Sequence, residues 1–146
     1  MHMKTGLEFS RKVDTAYMAL CKPLCKKWHL TQTALDILMF LANNPEFTTA
    51  RDIVEIRKLK ANLVSVNVDR LVREGYLVRQ EVAEDRRKTK LLCTSKADEI
   101  ITQGRKLQQD FVALLFEGID EETRDILLVS MTKMEEDLDY ILEDEA

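Results

Sequence analysis

Apolar residues recur along most of this chain at helical spacing. Phe9, Val13, Tyr17, Leu20, Leu24 and Trp28 follow one another at steps of four, four, three, four and four. That rhythm predicts an amphipathic helix over 7–28, and Pro23 is expected to kink or loosen its end. Thr31 stands where an N-cap belongs for a second helix, "QTALDILMFLANN", which carries Ala34, Ile37, Leu38 and Leu41 on one face and ends at "NNPEF". Thr48 or Thr49 caps a short third helix through "ARDIVEIRKL". In "KANLVSVNVDRLVREG", Val64, Val68, Leu71 and Val72 share one side and Gly75 supplies the stop.

The period then shortens to that of strands. "YLVRQEV" and "TKLLCT" have extended-chain composition, with a basic stretch between them, and a hairpin is the natural reading although no Gly, Pro or Asn marks its tip. Thr94 or Ser95 can cap the helix that follows, where Ile100, Gly104, Leu107, Phe111 and Leu114 repeat at steps of four and three. Asp120 opens a last helix with Glu121 and Glu122 in its first turn, where anions suit the dipole. Its stripe is Leu127, Met131, Met134, Leu138 and Ile141. The expected fold is mainly α with a small β-hairpin, as a single domain over 1–146.

A chain of 146 residues can bury roughly 70% of its unfolded surface. No run approaches the ~20 apolar residues of a membrane span, and "MHMKTGLEF" lacks the apolar core of a signal peptide. Cys21, Cys25 and Cys93 show no small-domain disulfide spacing. A cytoplasmic protein without membrane attachment is the expectation. Two histidines, His2 and His29, cannot assemble a His-rich metal site or a triad, and four scattered glycines leave no phosphate-cradling loop. No enzyme, cofactor or metal is expected.

Charge is unevenly spread under the net -4. Residues 46–96 hold 12 Lys+Arg against 8 Asp+Glu, whereas residues 120–146 hold 11 Asp+Glu against 2 Lys+Arg. Screening limits a charge's reach to ~8 Å at physiological salt, so a basic middle and an acidic end act as separate surfaces when they lie apart. Four of the bases fall within "EDRRKTK".

Two short helices followed by a hairpin make a winged helix-turn-helix, whose second helix is sized for the DNA major groove. Turning "KANLVSVNVDRLVREG" by about 100° per residue sends Val64, Val68 and Leu71 inward. Asn62, Val66, Asp69 and Arg73 then face out, with Ser65 and Arg70 on the flanks, and Lys60, Asn62, Ser65, Val66 and Arg70 are the residues expected to read or position DNA. Asn62 suits adenine and Val66 a thymine methyl group, while Lys60 and the free N–H groups at the helix start suit phosphate. A solvated helix face explains this segment alone equally well. The basic stretch tips the balance: Arg86, Arg87 and Lys88 near a hairpin tip are where a wing reaches phosphates or the minor groove.

"VDRLVREGYLVRQ" and "DRRKTKLLCTSKA" resemble two motifs of the multiple antibiotic resistance regulator (MarR) family of bacterial transcription factors, at the right separation. The likeness extends over nearly the whole chain. It departs at "EVAE", where the family has an Asp-Pro approach to the wing, at Cys93 in place of Leu, and at Ala97 in place of Gly. The resemblance implies that Asp69 pairs with Arg87 of the wing, so that Asp69 and Asp85 orient it. It also implies a DNA-binding region over 30–96, with dimerisation helices at 7–28 and 97–144. A homodimer on double-stranded DNA, most often a repressor, follows from the family, as does release by a small aromatic or lipophilic effector.

Tyr17, Trp28, Met39 and Phe111 are candidates to line an effector cavity, against the plainer reading of core. Cys21 and Cys25 lie one helical turn apart beside Lys22, Lys26 and Lys27, which can lower a thiol pKa. A thiol-based redox sensor is therefore an alternative, with structural thiols the plainer account. A second alternative is a winged-helix adaptor that binds protein rather than DNA, motivated by Glu81, Glu84 and Asp85 at the wing and by the low pI.

Overall fold

The computed structural model describes residues 3–145, without the side chains of residues 3–5 and of Arg86; His2 lies outside the described residues. The order is α1 (Met3–Trp28), α2 (Gln32–Asn43), α3 (Ala50–Ile56), α4 (Ala61–Arg73), β1 (Leu77–Val82), β2 (Asp85–Cys93), a short 3-10 turn (Ser95–Ala97), α5 (Asp98–Leu115) and α6 (Glu121–Asp144). This is the winged helix-turn-helix expected, with helices on both sides of it in sequence. The chain divides into a unit ending at Phe111 and another beginning at Val112, so the division falls inside α5.

Local signals set most boundaries in the first unit. The Thr31 hydroxyl accepts from Ala34 N at 3.0 Å, and Thr49, rather than Thr48, caps α3 in a reciprocal capping box with Asp52. Gly75 ends α4 with φ 86°: its N–H reaches the Val72 carbonyl at 3.1 Å and the Tyr76 N–H reaches Leu71 at 2.9 Å, a two-bond left-handed cap. The same cap closes α1 without glycine. His29 takes φ 53°, and the Leu30 N–H reaches the Cys25 carbonyl at 2.9 Å.

α1 departs from expectation at Pro23. Proline has no N–H to give the carbonyl one turn back, yet the helix continues unbroken to Trp28. Cys21 and Leu24, on either side of Pro23, are both buried, and that burial offsets the lost bond.

Leu35, Ile37, Leu38, Ile53, Val64, Leu71, Leu77 and Ile100 form the fully buried heart of the unit, contributed by α2, α3, α4, β1 and α5. Gly104 lets α5 approach α2 closely, because a Cβ there would lie 2.4 Å from Met39 Sδ. β1 and β2 pair antiparallel from Leu77↔Cys93 to Glu81↔Thr89. The Leu91 N–H donates to the Thr48 carbonyl at 2.7 Å, tying the hairpin to the loop before α3.

In the second unit, Asp120 caps α6 by accepting from Thr123 N at 2.7 Å. None of the residues of α6 is buried. No helix among the described residues is long and apolar enough to cross a membrane.

Candidate nucleic-acid interface

α4 presents the predicted faces. Val64, Val68 and Leu71 are buried, whereas Asn62, Ser65, Val66, Asp69 and Arg73 are exposed or half-buried. Val66 is the informative member, since an aliphatic side chain left 66% exposed at the centre of a helix face gains little from folding. Lys60 is exposed at the N-cap position of α4 and makes no side-chain capping bond, so both its ammonium and the first N–H groups of the helix are open to an anion.

The hairpin differs from a simple two-strand wing. Glu81 pairs with Thr89 but Val82 pairs with Asp85, leaving Arg86, Arg87 and Lys88 without register partners on β1. Ala83 and Glu84 form the turn, and neither adopts positive φ. A two-residue hairpin loop favours mirror-image turns with positive φ; lacking one, the strands take up the mismatch as a bulge in β2. The bases therefore sit just past the tip, in the bulge, and not at the turn itself. Asp85 Oδ1 accepts from the Arg87 N–H at 3.0 Å, so Asp85 organises the backbone of the bulge. Arg87 and Lys88 are exposed.

Asp69 does pair with an arginine of the hairpin, but not with the one that the family resemblance implies. Arg79 on β1, not Arg87 on β2, donates to Asp69 Oδ1. β1 leaves the end of α4 directly through Gly75, which brings Arg79 alongside the helix, while Arg87 lies beyond the turn. Asp69 thus meets the base of the wing, and Arg79 is a member of this surface that periodicity and charge do not single out.

Arg70, half-buried, is engaged by the protein's own groups. Its Nη2 donates to the His29 carbonyl at 2.6 Å and its Nε to Glu74 Oε1 at 3.1 Å. Asn67, just under one turn earlier, is buried; it accepts from the Thr31 hydroxyl at 2.6 Å and donates to the Leu63 carbonyl at 2.8 Å.

A cleft of about 240 Å³ lies away from α4, among Tyr17, Asp36, Met39, Phe40, Arg57 and Gln108 and their neighbours. Of the aromatic and Met candidates, Tyr17 and Met39 line it; Trp28 instead donates to Gln103 Oε1 at 3.3 Å, and Phe111 packs edge-on against Tyr17 with centroids 5.5 Å apart. Burial pushes the Tyr17 hydroxyl up to about 12, against the Gln108 hydrogen bond that favours its ionisation.

Burial also raises Asp36 above its ordinary 3.8, outweighing the Gln32 hydrogen bond and Arg57, with Asp14 adding to the rise. A carboxyl raised on folding contributes stability that is present below the unfolded value and lost as pH climbs through the folded one. Asp36→Asn, which cannot ionise, is expected to gain stability relative to wild type as pH rises above 3.8 and then level off. Urea unfolding of both proteins from about pH 3.5 to 7 checks this; a difference constant across the range would rule it out.

Cys25 and Cys93 are not activated. Cys21 is fully buried, and burial raises Cys25 and Cys93, whereas Lys22, Lys26 and Lys27 are all solvent-exposed. Desolvation disfavours the thiolate at both Cys25 and Cys93, joined by Cys21 and Asp36 at Cys25 and by Asp98, against Arg105, at Cys93.

Residues 29–88 match the model of the MarR family. No curated relative matches the chain. A MarR transcriptional regulator from Methanosarcina mazei Go1 superimposes with TM-score 0.81 over 97% of this chain and 94% of its own, at 18% identity. A MarR family regulator from Listeria monocytogenes, solved with a 26mer DNA, has TM-score 0.77 over 94% and 89%, at 15% identity. BpsR of Bordetella bronchiseptica, whose DNA binding is regulated by 6-hydroxynicotinic acid, has TM-score 0.70 over 90% and 98%, at 17% identity. At these identities the likeness is one of fold. The matched segment, residues 29–88, holds both the exposed face of α4 and the basic bulge, and over that winged-helix segment this chain is similar to the MarR family.

Proposed function

We propose that this protein is a homodimeric, sequence-specific DNA-binding repressor whose reading head is the winged helix of residues 30–96. The observation that carries this is the exposed Asn62, Ser65 and Val66 on α4 next to a wing bulge of three consecutive bases. Asn62 and Val66 offer an amide to adenine and a methyl contact to thymine; Lys60, Arg86, Arg87 and Lys88 neutralise phosphates, which position the complex without reading sequence. Asp69 and Asp85 hold the wing in place. The helices over 7–28, extended to Met3, and over 97–144 pair with a second copy, placing two reading heads about one DNA turn apart. Regulation by a small aromatic or lipophilic anion fits the cleft beside Tyr17 and Arg57, and the ligand-regulated DNA binding of BpsR supports it.

Fluorescence anisotropy against the DNA upstream of its own gene, with a scrambled control, tests the reading. Six to ten phosphate contacts predict a fall in affinity of ~10³–10⁵ between 50 and 200 mM salt. Absence of binding to any DNA at 50 mM would point instead to the protein-binding adaptor.

A further inference from the structure

The recognition helix is fastened to the elbow between α1 and α2 by two polar links. One runs from Arg70 Nη2 to the His29 carbonyl at 2.6 Å, the other from the Thr31 hydroxyl to Asn67 Oδ1 at 2.6 Å. Asn67 and Arg70 are three apart and so neighbours on α4: Asn67 faces inward and is buried, while Arg70, one turn after Val66, lies half-buried at the edge of the exposed face. The acceptor is well chosen for a cation. His29 is the left-handed residue that closes α1, with φ 53°, and carbonyls at a helix C-terminus form the negative pole of its dipole. Glu74 fixes the guanidinium from its other edge at 3.1 Å. Thr31 serves twice, since its oxygen also caps α2 through Ala34 N at 3.0 Å.

We infer that Arg70 is a positioning residue of the DNA-binding head and not one of its phosphate contacts, and that with Thr31 and Asn67 it transmits the placement of the end of α1 to the reading face of α4. A displacement of the elbow moves α4 with it, because both links are short and the Thr31 link ends on Asn67, which is only 6% exposed and leaves little room there for water to substitute. The inference rests on the DNA-binding reading above.

Arg70→Ala in the full chain separates the possibilities. Affinities for the upstream DNA and for the scrambled control are measured from 50 to 200 mM salt, with circular dichroism to establish folding. A positioning residue predicts that the ratio of specific to non-specific affinity drops at least about tenfold while the log–log salt slope stays as in wild type. A slope shallower by about 0.9 means one lost phosphate contact and overturns the inference; so does an equal fall of specific and non-specific binding. Thr31→Ser and Thr31→Ala form a second arm that avoids any charge change. The serine, which keeps the hydroxyl, retains the specificity ratio and the alanine loses it; two variants alike in that ratio overturn the inference. A wild-type protein that binds no DNA brings down the regulator reading itself, an outcome distinct from a wild type that binds and an Arg70→Ala variant that loses slope.

Discussion

Replacing Arg86, Arg87 and Lys88 together by alanine is expected to flatten the log–log salt dependence of DNA binding by about 2.7, because each neutralised phosphate contributes about 0.9. At 0.1 M salt the same arithmetic makes the loss of affinity about 10²–10³-fold. Folding should be nearly untouched. The three residues lie in a bulge with no register partners across the sheet, and the bond from the Arg87 N–H to Asp85 is donated by backbone and survives the change. The single Arg87→Ala variant should show about a third of the slope effect. Salt titrations of both variants by anisotropy measure it, and an unchanged slope in the triple variant would remove the wing from the interface.

A larger structural effect is expected on α6. Leu127, Met131, Met134, Leu138 and Ile141 repeat at steps of four and three and are between 38% and 57% exposed in the single chain. Burying a Leu, Ile or Met side chain fully is worth about 1.5–3 kcal/mol, so this stripe offers at most about 7–15 kcal/mol against a comparable cost of association. Met131→Glu combined with Leu138→Glu removes two of the five contributions and places unpaired carboxylates in the seam, which is costlier still. Sedimentation velocity should then report a monomer. Operator affinity should fall by about 10²–10⁴, the factor that coupling two binding modules provides. A variant that stays dimeric would shift the interface to other exposed apolar residues, such as Leu7 and Phe9 of α1.

Much of the fold is legible in the amino-acid sequence because its signals are local. Apolar spacing marks α1, α2, α4, α5 and α6. Thr31 and Asp120 cap the helices they precede, and Gly75 stops α4 as its freedom at positive φ permits. Each of these acts within four or five residues of itself. The exposure of Asn62, Ser65 and Val66 follows from the same rotation that buries Val64 and Val68.

What sequence reasoning misses depends on distant partners. Asp69 chooses Arg79 over Arg87 because of where β1 starts and how the hairpin is registered, which no short motif encodes. Arg70 reads as a flanking DNA contact, yet its partner is the carbonyl of His29, 41 positions away. Asn67 is the neighbour of the exposed Val66 and is itself buried against Thr31. Lysines beside Cys21 and Cys25 suggest an activated thiol, but desolvation depends on what packs over α1.

The sequence by itself determined the helical order, the two faces of α4 and the placement of a cationic run just after a turn, since periodicity and capping operate over single turns of chain. Only the tertiary structure decided which arginines are free to meet a partner and which are held within the protein. Hydrogen-bond partners are selected by three-dimensional proximity, and a guanidinium carries the same charge whether it faces solvent or the end of a helix.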